Sequence, residues 1–120
     1  YAQQRETFGK PIAQHQAIQF MLAEMATAVY GARIATMNAA TLKDEGLPFV
    51  NEASMAKLIA SEMCVDVSSK AMQVHGGIGY FQDAGVERIF RDARVTTIYE
   101  GTSEVQKLII ARQILAQYPL

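Results

Sequence analysis

The sequence predicts an all-α fold, an up-and-down domain that resembles a four-helix bundle. Apolar residues recur at steps of three and four along two long stretches, which is the pattern of amphipathic helices. No stretch alternates convincingly like a half-buried strand, and the one short candidate is VTTIY at residues 95–99. Half of the 120 residues are hydrophobic and only 19% are charged; much of the excess is alanine and methionine, which suits closely packed helices. At this length we expect one domain.

The first predicted helix is the longest and runs from about Gln14 to about Glu45. Pro11 marks its approach, while Gly46 and Pro48 are typical of residues that follow a helix end. One side of this helix carries an apolar stripe. It consists of Ile18, Met21, Leu22, Met25, Val29, Ala32, Ala35 and Ala39.

A second long helix is predicted over about residues 51–74, with Asn51 as its N-cap. The three glycines of HGGIGY, residues 75–80, cannot hold a helix cheaply and are expected to end it. One apolar side of this helix carries Met55, Ile59, Met63, Val67 and Ala71.

Two shorter helices complete the predicted bundle. The first is expected over about residues 85–93, and residues 94–101 resemble a linker. Thr102 or Ser103 can cap the last helix. Its predicted inward face consists of Val105, Leu108, Ile109 and Leu115.

Composition argues against several functions. The net charge is −1 with no basic run, so nucleic-acid binding has no electrostatic footprint. A single cysteine, Cys64, excludes an internal disulfide framework and a cysteine-based metal site, and we predict no metal. No apolar stretch approaches the roughly 20 residues that a membrane span needs. The chain begins at Tyr1 without a methionine, so we expect it to be part of a longer protein. Its high hydrophobic content predicts a surface that contacts a partner chain or further domains.

Four stretches do not look like packing alone: RETFGKP (5–11), QVHGGIGY (73–80), RIFRDAR (88–94) and IYEGTSEVQ (98–106). Each has an ordinary interpretation: a helix entry, a helix terminator, ion pairs on a solvated face, and a surface acid. Glycines also let backbone N–H groups approach a ligand, and the helix start after Gly101 offers an anion site. These residues by themselves predict a helical bundle that binds a ligand.

Together and in this order, the motifs resemble the C-terminal helical domain of the acyl-CoA dehydrogenases. The resemblance is carried by RETFGKPIAQHQAIQFMLAEM, EASMAKLIASE, AMQVHGGIGYFQDAGVERIFRDAR and IYEGTSEVQKLIIAR, and it covers essentially the whole chain. It implies an N-terminal helical domain and a middle β domain, both outside these 120 residues. It also implies a homo-oligomer, a dimer or more typically a tetramer.

The resemblance further implies oxidation of an acyl-CoA substrate to the trans-2-enoyl-CoA, with FAD accepting the β-hydride. The glutamate of the YEGT motif removes the α-proton, which makes Glu100 the implied catalytic base. An α C–H is a very weak acid, so the thioester carbonyl must be polarised in a site that excludes water. The backbone N–H of the same glutamate is implied as one donor to the thioester oxygen. Gly101 would let the acyl chain lie close to the backbone.

The remaining motifs match family contacts with FAD. The implied cofactor-binding residues are Arg5, Phe8 and Gln16, which face the FAD of a neighbouring subunit, then Gln73, Val74, His75, Gly76 and Gly77 at the adenosine end, and Thr102, Ser103 and Glu104 beside the flavin. A guanidinium suits a diphosphate because its fork is planar and permanently charged. His75 is implied by its location only, since that position varies in the family.

Three interpretations of function stay open at this point. The first is a dehydrogenase that passes electrons to an electron-transferring flavoprotein, with the isolated fragment inactive. The second is a non-catalytic helical assembly module, and the third an acyl-CoA oxidase type of enzyme on the same fold. A glutamate at position 100 favours the short-, medium- or branched-chain type of active site. Bacterial cytoplasm and mitochondrial matrix both fit the resemblance.

Overall fold

The computed structural model describes residues 1–118 and confirms the all-α prediction. Within that range the chain forms five α-helices and a hairpin of two very short strands. The elements are β1 (Glu6–Thr7), β2 (Lys10–Pro11), α1 (Gln16–Asp44), α2 (Val50–His75), α3 (Gly77–Tyr80), α4 (Val86–Val95) and α5 (Ser103–Gln117). Short 3₁₀ turns at Ile12–Gln14 and Gln82–Ala84 precede α1 and α4.

Helix α2 is the centre of the fold, because α1, α4 and α5 all pack against it. The loop from α1 to α2 is short, and the two helices run antiparallel. Lys70 near the end of α2 therefore reaches Glu24 near the start of α1, with 3.1 Å between the charged atoms. The same ammonium group pairs with Asp66, one turn earlier on α2, at 3.0 Å.

The predicted end of α1 is confirmed by its hydrogen bonds. The N–H of Gly46 donates to the carbonyl of Lys43 at 3.1 Å, and the N–H of Leu47 donates to the carbonyl of Leu42 at 2.9 Å. This pair of bonds is the Schellman motif, which satisfies the last free carbonyls of a helix. The loop then leads directly into α2.

The predicted N-cap of α2 is wrong. The helix begins with Phe49 at the cap position, and the N–H of Ala53 already bonds to the Phe49 carbonyl at 2.8 Å. Asn51 lies inside the first turn instead. Its Oδ1 atom is buried and has no hydrogen-bond partner within the described part of the chain.

Two loops are more ordered than the sequence predicts. The segment 5–11 forms a hairpin in which Thr7 faces Lys10. Its two turn residues, Phe8 and Gly9, have φ angles of 52° and 76°, as a type I′ turn requires. Helix α2 does end at Gly76, but the chain then resumes one helical turn, α3, in place of an open loop. The strand candidate at 95–99 is the end of α4 and a turn.

The buried core is thin and built from small side chains. Its apolar members are Ile12, Ala32, Ala39, Ala56, Val74 and Ala93. The described residues expose 8559 Å², whereas a compact protein of 13.2 kDa exposes about 6400 Å². The radius of gyration is 18.0 Å, against about 13.6 Å for a compact domain of 120 residues. The chain therefore presents apolar surface that an isolated globule would bury.

The predicted inward face of α5 is also wrong in part. Val105, Leu108 and Leu115 are exposed, whereas Ser103 and Gln106 are buried against the rest of the chain. The sequence pattern marks the apolar side of α5, but α2 packs against a different side. The exposed stripe adds to the uncovered surface.

Two searches of residues 1–118 gave negative results. No helix there combines the length and the apolar character that crossing a membrane requires. In the same residues no three His, Cys, Asp or Glu side chains are grouped so that they could hold a metal ion.

Candidate active site and cofactor cavity

The implied base, Glu100, lies in a tight turn between α4 and α5. Glu100 has a φ of 53° and the next residue, Gly101, a φ of 95°. A left-handed backbone is uncommon for a residue with a side chain and costs on the order of 1–3 kcal/mol. Such strain persists only where the surroundings enforce it, and it is concentrated at functional sites. Within residues 1–118, Glu100 shares this conformation with only one other non-glycine residue, Phe8 in the turn of the hairpin.

Two side chains enforce this turn. Lys57, on α2, donates from Nζ to the carbonyl of Thr96 at 2.8 Å and to the carbonyl of Gly101 at 2.7 Å. Gln106, on α5, donates from Nε2 to the same Gly101 carbonyl at 3.2 Å. The two ends of the segment 96–101 are thus tied to one ammonium group, with Glu100 between them.

The start of α5 is fixed by a second set of contacts. The buried hydroxyl of Ser103 donates to a carboxylate oxygen of Glu62 at 2.5 Å, and the Ser103 N–H donates to the Thr97 carbonyl at 3.0 Å. The guanidinium of Arg94 donates to the Thr97 hydroxyl. These residues border a cavity of about 390 Å³ that Thr102 and Glu104 also line.

Thr102 caps α5, as predicted. Its hydroxyl oxygen accepts the N–H of Val105 at 3.3 Å. The backbone N–H of Glu104 and then the Thr102 hydroxyl stabilise the charged carboxylate of Glu104 and hold its pKa below its ordinary value of 4.5. A helix N-terminus favours negative charge in this way. The implied flavin-side residues therefore lie at an electropositive helix start.

The Glu100 side chain is exposed in this chain. No backbone carbonyl of residues 1–118 accepts a hydrogen bond from the Glu100 N–H, so this group is available as a donor to a ligand. Beside it, the space that a side chain at position 101 would take is filled, because a Cβ on Gly101 would lie 2.5 Å from Nε2 of Gln106. The absence of a side chain at Gly101 is needed by the fold itself, and its substrate contact stays a prediction.

A second site lies at the other end of α2. A cavity of about 610 Å³ brings together five of the implied cofactor residues: Arg5, Val74, His75, Gly76 and Gly77. The His75 ring stacks on the Tyr1 ring with 4.5 Å between centroids. Its Nδ1 lies 2.8 Å from the Ala71 carbonyl, so Nδ1 carries the proton of the neutral ring.

The character of this cavity fits a dinucleotide. Arg5 supplies a permanent cation, Gly76 and Gly77 add wall without side chains, and Ile12 and Val74 add apolar surface. A diphosphate needs the cation, and a purine ring needs flat apolar contact. The residues present are therefore suited to the adenosine diphosphate part of FAD.

The other implied contacts lie around this cavity without lining it. Phe8 is 97% exposed at the tip of the hairpin, with its ring edge-on to His15 at 6.0 Å. Gln16 is exposed at the start of α1. Gln73 borders an adjoining cavity of about 410 Å³ that Gly76 and Gly77 share. The His15 ring fixes the hairpin to α1 by a bond of 3.1 Å to the Thr7 hydroxyl.

The two sites are separate. Lys57 holds the Glu100 turn, and His75 lines the Arg5 cavity; both are on α2, 18 residues apart, which is about 27 Å along a helix. The implied residues thus fall into a base cluster at the start of α5 and a cofactor cluster at the end of α2.

Sequence reasoning missed three supporting residues: Lys57, Glu62 and Gln106. For Lys57 a signal was present. Positions three and four residues away on a helix are its natural ion-pair partners, and they hold Ala53, Ser54, Ala60 and Ser61. A lysine without an acid at those positions has no ion-pair partner on its own helix, which leaves its ammonium group available for acceptors on another element. Nothing in the sequence indicated the contacts of Glu62 or Gln106.

Comparison with known proteins agrees with the motif resemblance. The model of the acyl-CoA dehydrogenase C-terminal domain matches residues 1–115. The short-chain specific acyl-CoA dehydrogenase, mitochondrial, of Bos taurus is 52% identical over 118 residues, which is 98% of this chain and 29% of that protein.

Solved structures show the same similarity. Butyryl-CoA dehydrogenase from Megasphaera elsdenii superposes with a TM-score of 0.95 at 43% identity, covering 96% of this chain and 30% of that one. The FAD complex of PigA superposes with a TM-score of 0.94 at 31% identity, covering 98% of this chain and 30% of that one. The chain therefore spans less than a third of the proteins it matches.

Proposed function

Because this chain belongs to the acyl-CoA dehydrogenase family and matches its C-terminal domain, we propose that it is the base-bearing third of a flavoenzyme. The enzyme oxidises an acyl-CoA thioester to the trans-2-enoyl-CoA. An N-terminal helical domain and a middle β domain complete it. The 120 residues alone carry the proposed base but not the two other domains, which would enclose the substrate.

The geometry of the Glu100 turn carries this proposal. A strained, non-glycine left-handed residue is held at the start of α5, with its carboxylate outside the bundle and its N–H unused by any backbone carbonyl of residues 1–118. One residue thus offers a proton acceptor and a hydrogen-bond donor at neighbouring points. That is what removal of a proton beside a carbonyl requires: the base meets the α-carbon while the donor stabilises charge on the thioester oxygen.

The roles of the other residues follow from their position. Glu100 takes the α-proton onto its carboxylate, and its backbone N–H holds the thioester oxygen. Lys57 and Gln106 keep the turn in its strained form. FAD, when bound, supplies the oxidant for the β-carbon. In this chain the Glu100 side chain is exposed. The N-terminal and middle domains of the proposed enzyme therefore have to exclude water from the site.

We assign the Arg5 cavity to the FAD of a neighbouring subunit. The distance of about 27 Å along α2 between the two sites supports this assignment, as does the cation at the cavity wall. An active oligomer is then needed for a complete site. The exposed apolar side of α5 and the excess surface of the chain are consistent with such an assembly.

The test is Glu100→Gln in the full-length parent. The amide keeps the shape of the side chain but cannot take a proton, so turnover of a short acyl-CoA should fall by about 10²–10⁴-fold. Flavin absorbance per subunit should stay unchanged. Retention of activity in this variant would leave the assembly-module interpretation as the better one.

The electron acceptor and the compartment are further parts of the proposal. We propose an electron-transferring flavoprotein as acceptor, in the bacterial cytoplasm or the mitochondrial matrix. Substrate-reduced enzyme should be reoxidised slowly by air and rapidly by an electron-transferring flavoprotein. Rapid reoxidation by oxygen alone would instead assign the chain to an oxidase of the same fold.

A further inference from the structure

We propose that Lys57 is a positioning residue for the base, and that its ammonium group sets the orientation in which Glu100 meets the substrate. The inference rests on the proposed role of Glu100. It adds a residue from a different helix, 43 positions earlier in the sequence, to the machinery of proton removal.

The argument begins with the two bonds of Lys57. Its Nζ lies 2.8 Å from the carbonyl oxygen of Thr96 and 2.7 Å from that of Gly101. A charged donor forms stronger bonds with carbonyls than a neutral one. Because the two carbonyls bracket the segment 96–101, one ammonium group closes that segment into a loop and fixes its ends.

The loop needs this support because its backbone is strained. Glu100 and Gly101 are consecutive left-handed residues, with φ angles of 53° and 95°. Without the ammonium group, Glu100 would relax toward an ordinary conformation and its carboxylate would swing away. Gln106 also bonds to the Gly101 carbonyl, but no bond from Gln106 reaches Thr96. Lys57 is therefore the group that spans the turn.

The placement of Lys57 separates this role from an ordinary surface charge. No acid occupies the positions three or four residues away on its own helix, whereas Lys70 on the same helix pairs with Asp66 and Glu24. The two lysines are a matched pair. One supports the Glu100 turn and the other an ion-pair network outside both sites.

The experiment compares Lys57→Met, Lys57→Arg and the control Lys70→Met in the full-length FAD-bound enzyme. Flavin reduction by a saturating short acyl-CoA is followed anaerobically, with normal and α-deuterated substrate. Because a misplaced base loses about 10²-fold for a shift of 1 Å, Lys57→Met should reduce flavin about 10- to 100-fold more slowly. The α-deuterium isotope effect should rise, while substrate affinity and FAD content stay near wild type.

Two further readouts separate positioning from general damage. Amide hydrogen exchange over residues 96–103 should accelerate in Lys57→Met and stay unchanged in Lys70→Met. Lys57→Arg should recover most of the rate, since a guanidinium is permanently charged and can donate to two carbonyls. If Lys57→Met yields no folded flavoprotein, Lys57→Gln takes its place, with the order of rates Lys, Arg, then Gln expected.

The proposal is overturned if the folded Met or Gln variant reduces flavin at the wild-type rate, or if its loss is no greater than that of Lys70→Met. It is also overturned if FAD content falls in parallel with the rate. A separate result, retained activity in Glu100→Gln, would remove the proposed base itself and is distinguishable from these outcomes.

Discussion

The amide of Gln106 occupies the place where a side chain on Gly101 would lie. Its Nε2 donates to the Gly101 carbonyl at 3.2 Å, and a Cβ added at position 101 would approach the same nitrogen to 2.5 Å. Gln106 is buried, so moving its amide aside would break the bond to the Gly101 carbonyl. A side chain at position 101, next to the proposed base, would therefore meet a neighbour on the next helix.

Gly101→Ala should consequently destabilise the protein by about 1–3 kcal/mol, because it combines a left-handed backbone with a close contact. Flavin reduction should slow as well, since the turn that presents Glu100 must shift. Chemical denaturation and anaerobic reduction of the full-length enzyme measure the two effects. Gly31→Ala is the matched control: its added Cβ meets nothing within 4 Å, so it should stabilise α1 by up to about 1 kcal/mol. A harmless Gly101→Ala would contradict the packing argument.

Arg5→Gln should weaken FAD binding about 10- to 100-fold, because the cavity loses its permanent cation opposite the diphosphate. At saturating FAD, turnover should return close to the wild-type value, since Arg5 is far from Glu100 along the fold. Titration of the apoenzyme with FAD measures the affinity. Arg33→Gln, an exposed change on α1 that leaves the cavity lining intact, should bind FAD normally. Equal affinities for the two variants would show that the cavity is not the diphosphate site.

Glu104 gives a prediction about acid stability. Its pKa is held below the ordinary value of 4.5, chiefly by its own backbone N–H and then by the Thr102 hydroxyl. A carboxylate with a lowered folded-state pKa stabilises the fold above its unfolded pKa, and this contribution is lost as the pH falls through the folded value. Glu104→Gln should lower the melting temperature of the full-length enzyme slightly at pH 7, and the difference should shrink below pH 4.5. Asp92→Asn, on the exposed side of α4, serves as the comparison. A difference that grows in acid would reverse the assigned sign.

The isolated 120 residues should show no useful dehydrogenase activity. The core is built from small side chains, and the chain exposes about a third more surface than a compact protein of its mass. Incubation with FAD and butyryl-CoA, followed by the loss of flavin absorbance under anaerobic conditions, is the direct assay. Measurable turnover by the fragment would mean that the missing domains are dispensable.

The long helices could be predicted from sequence because their signals are local. The presence of α1 and its end before Gly46 are read from spacing and from one glycine, although two members of its predicted stripe, Leu22 and Val29, are exposed. The N-cap of α2 could not be predicted from sequence. Asn51 is a good N-cap by residue type, but tertiary packing begins the helix earlier. The prediction of the inward face of α5 was wrong for a related reason. Periodicity identified the apolar side of the helix, but that side lies away from α2, against which α5 packs.

The candidate site shows the same division. The motifs locate Glu100 and Arg5, and the structure adds which of the implied residues share a cavity. Contacts that join distant elements, such as Lys57 to Thr96 and Glu62 to Ser103, depend on how α2 lies beside the turn. Only the lack of an acid near Lys57 on its own helix hinted at such a bond. The hairpin was missed because the type I′ turn places Phe8, not glycine or asparagine, at its first central position.

The separation of the base cluster from the cofactor cluster has a consequence for oligomers that mix two defective variants. If each catalytic centre takes Glu100 from one protomer and Arg5 from the next, then a hybrid formed from Glu100→Gln and Arg5→Gln protomers contains one centre with neither lesion. At an FAD concentration too low to fill the Arg5→Gln protein, each variant alone should be nearly inactive. Refolded together in equal amounts, the two should regain about a quarter of normal turnover through the mixed pairs. Such complementation would follow from the length of α2, which places the base cluster and the cofactor cluster of one protomer too far apart to serve the same centre.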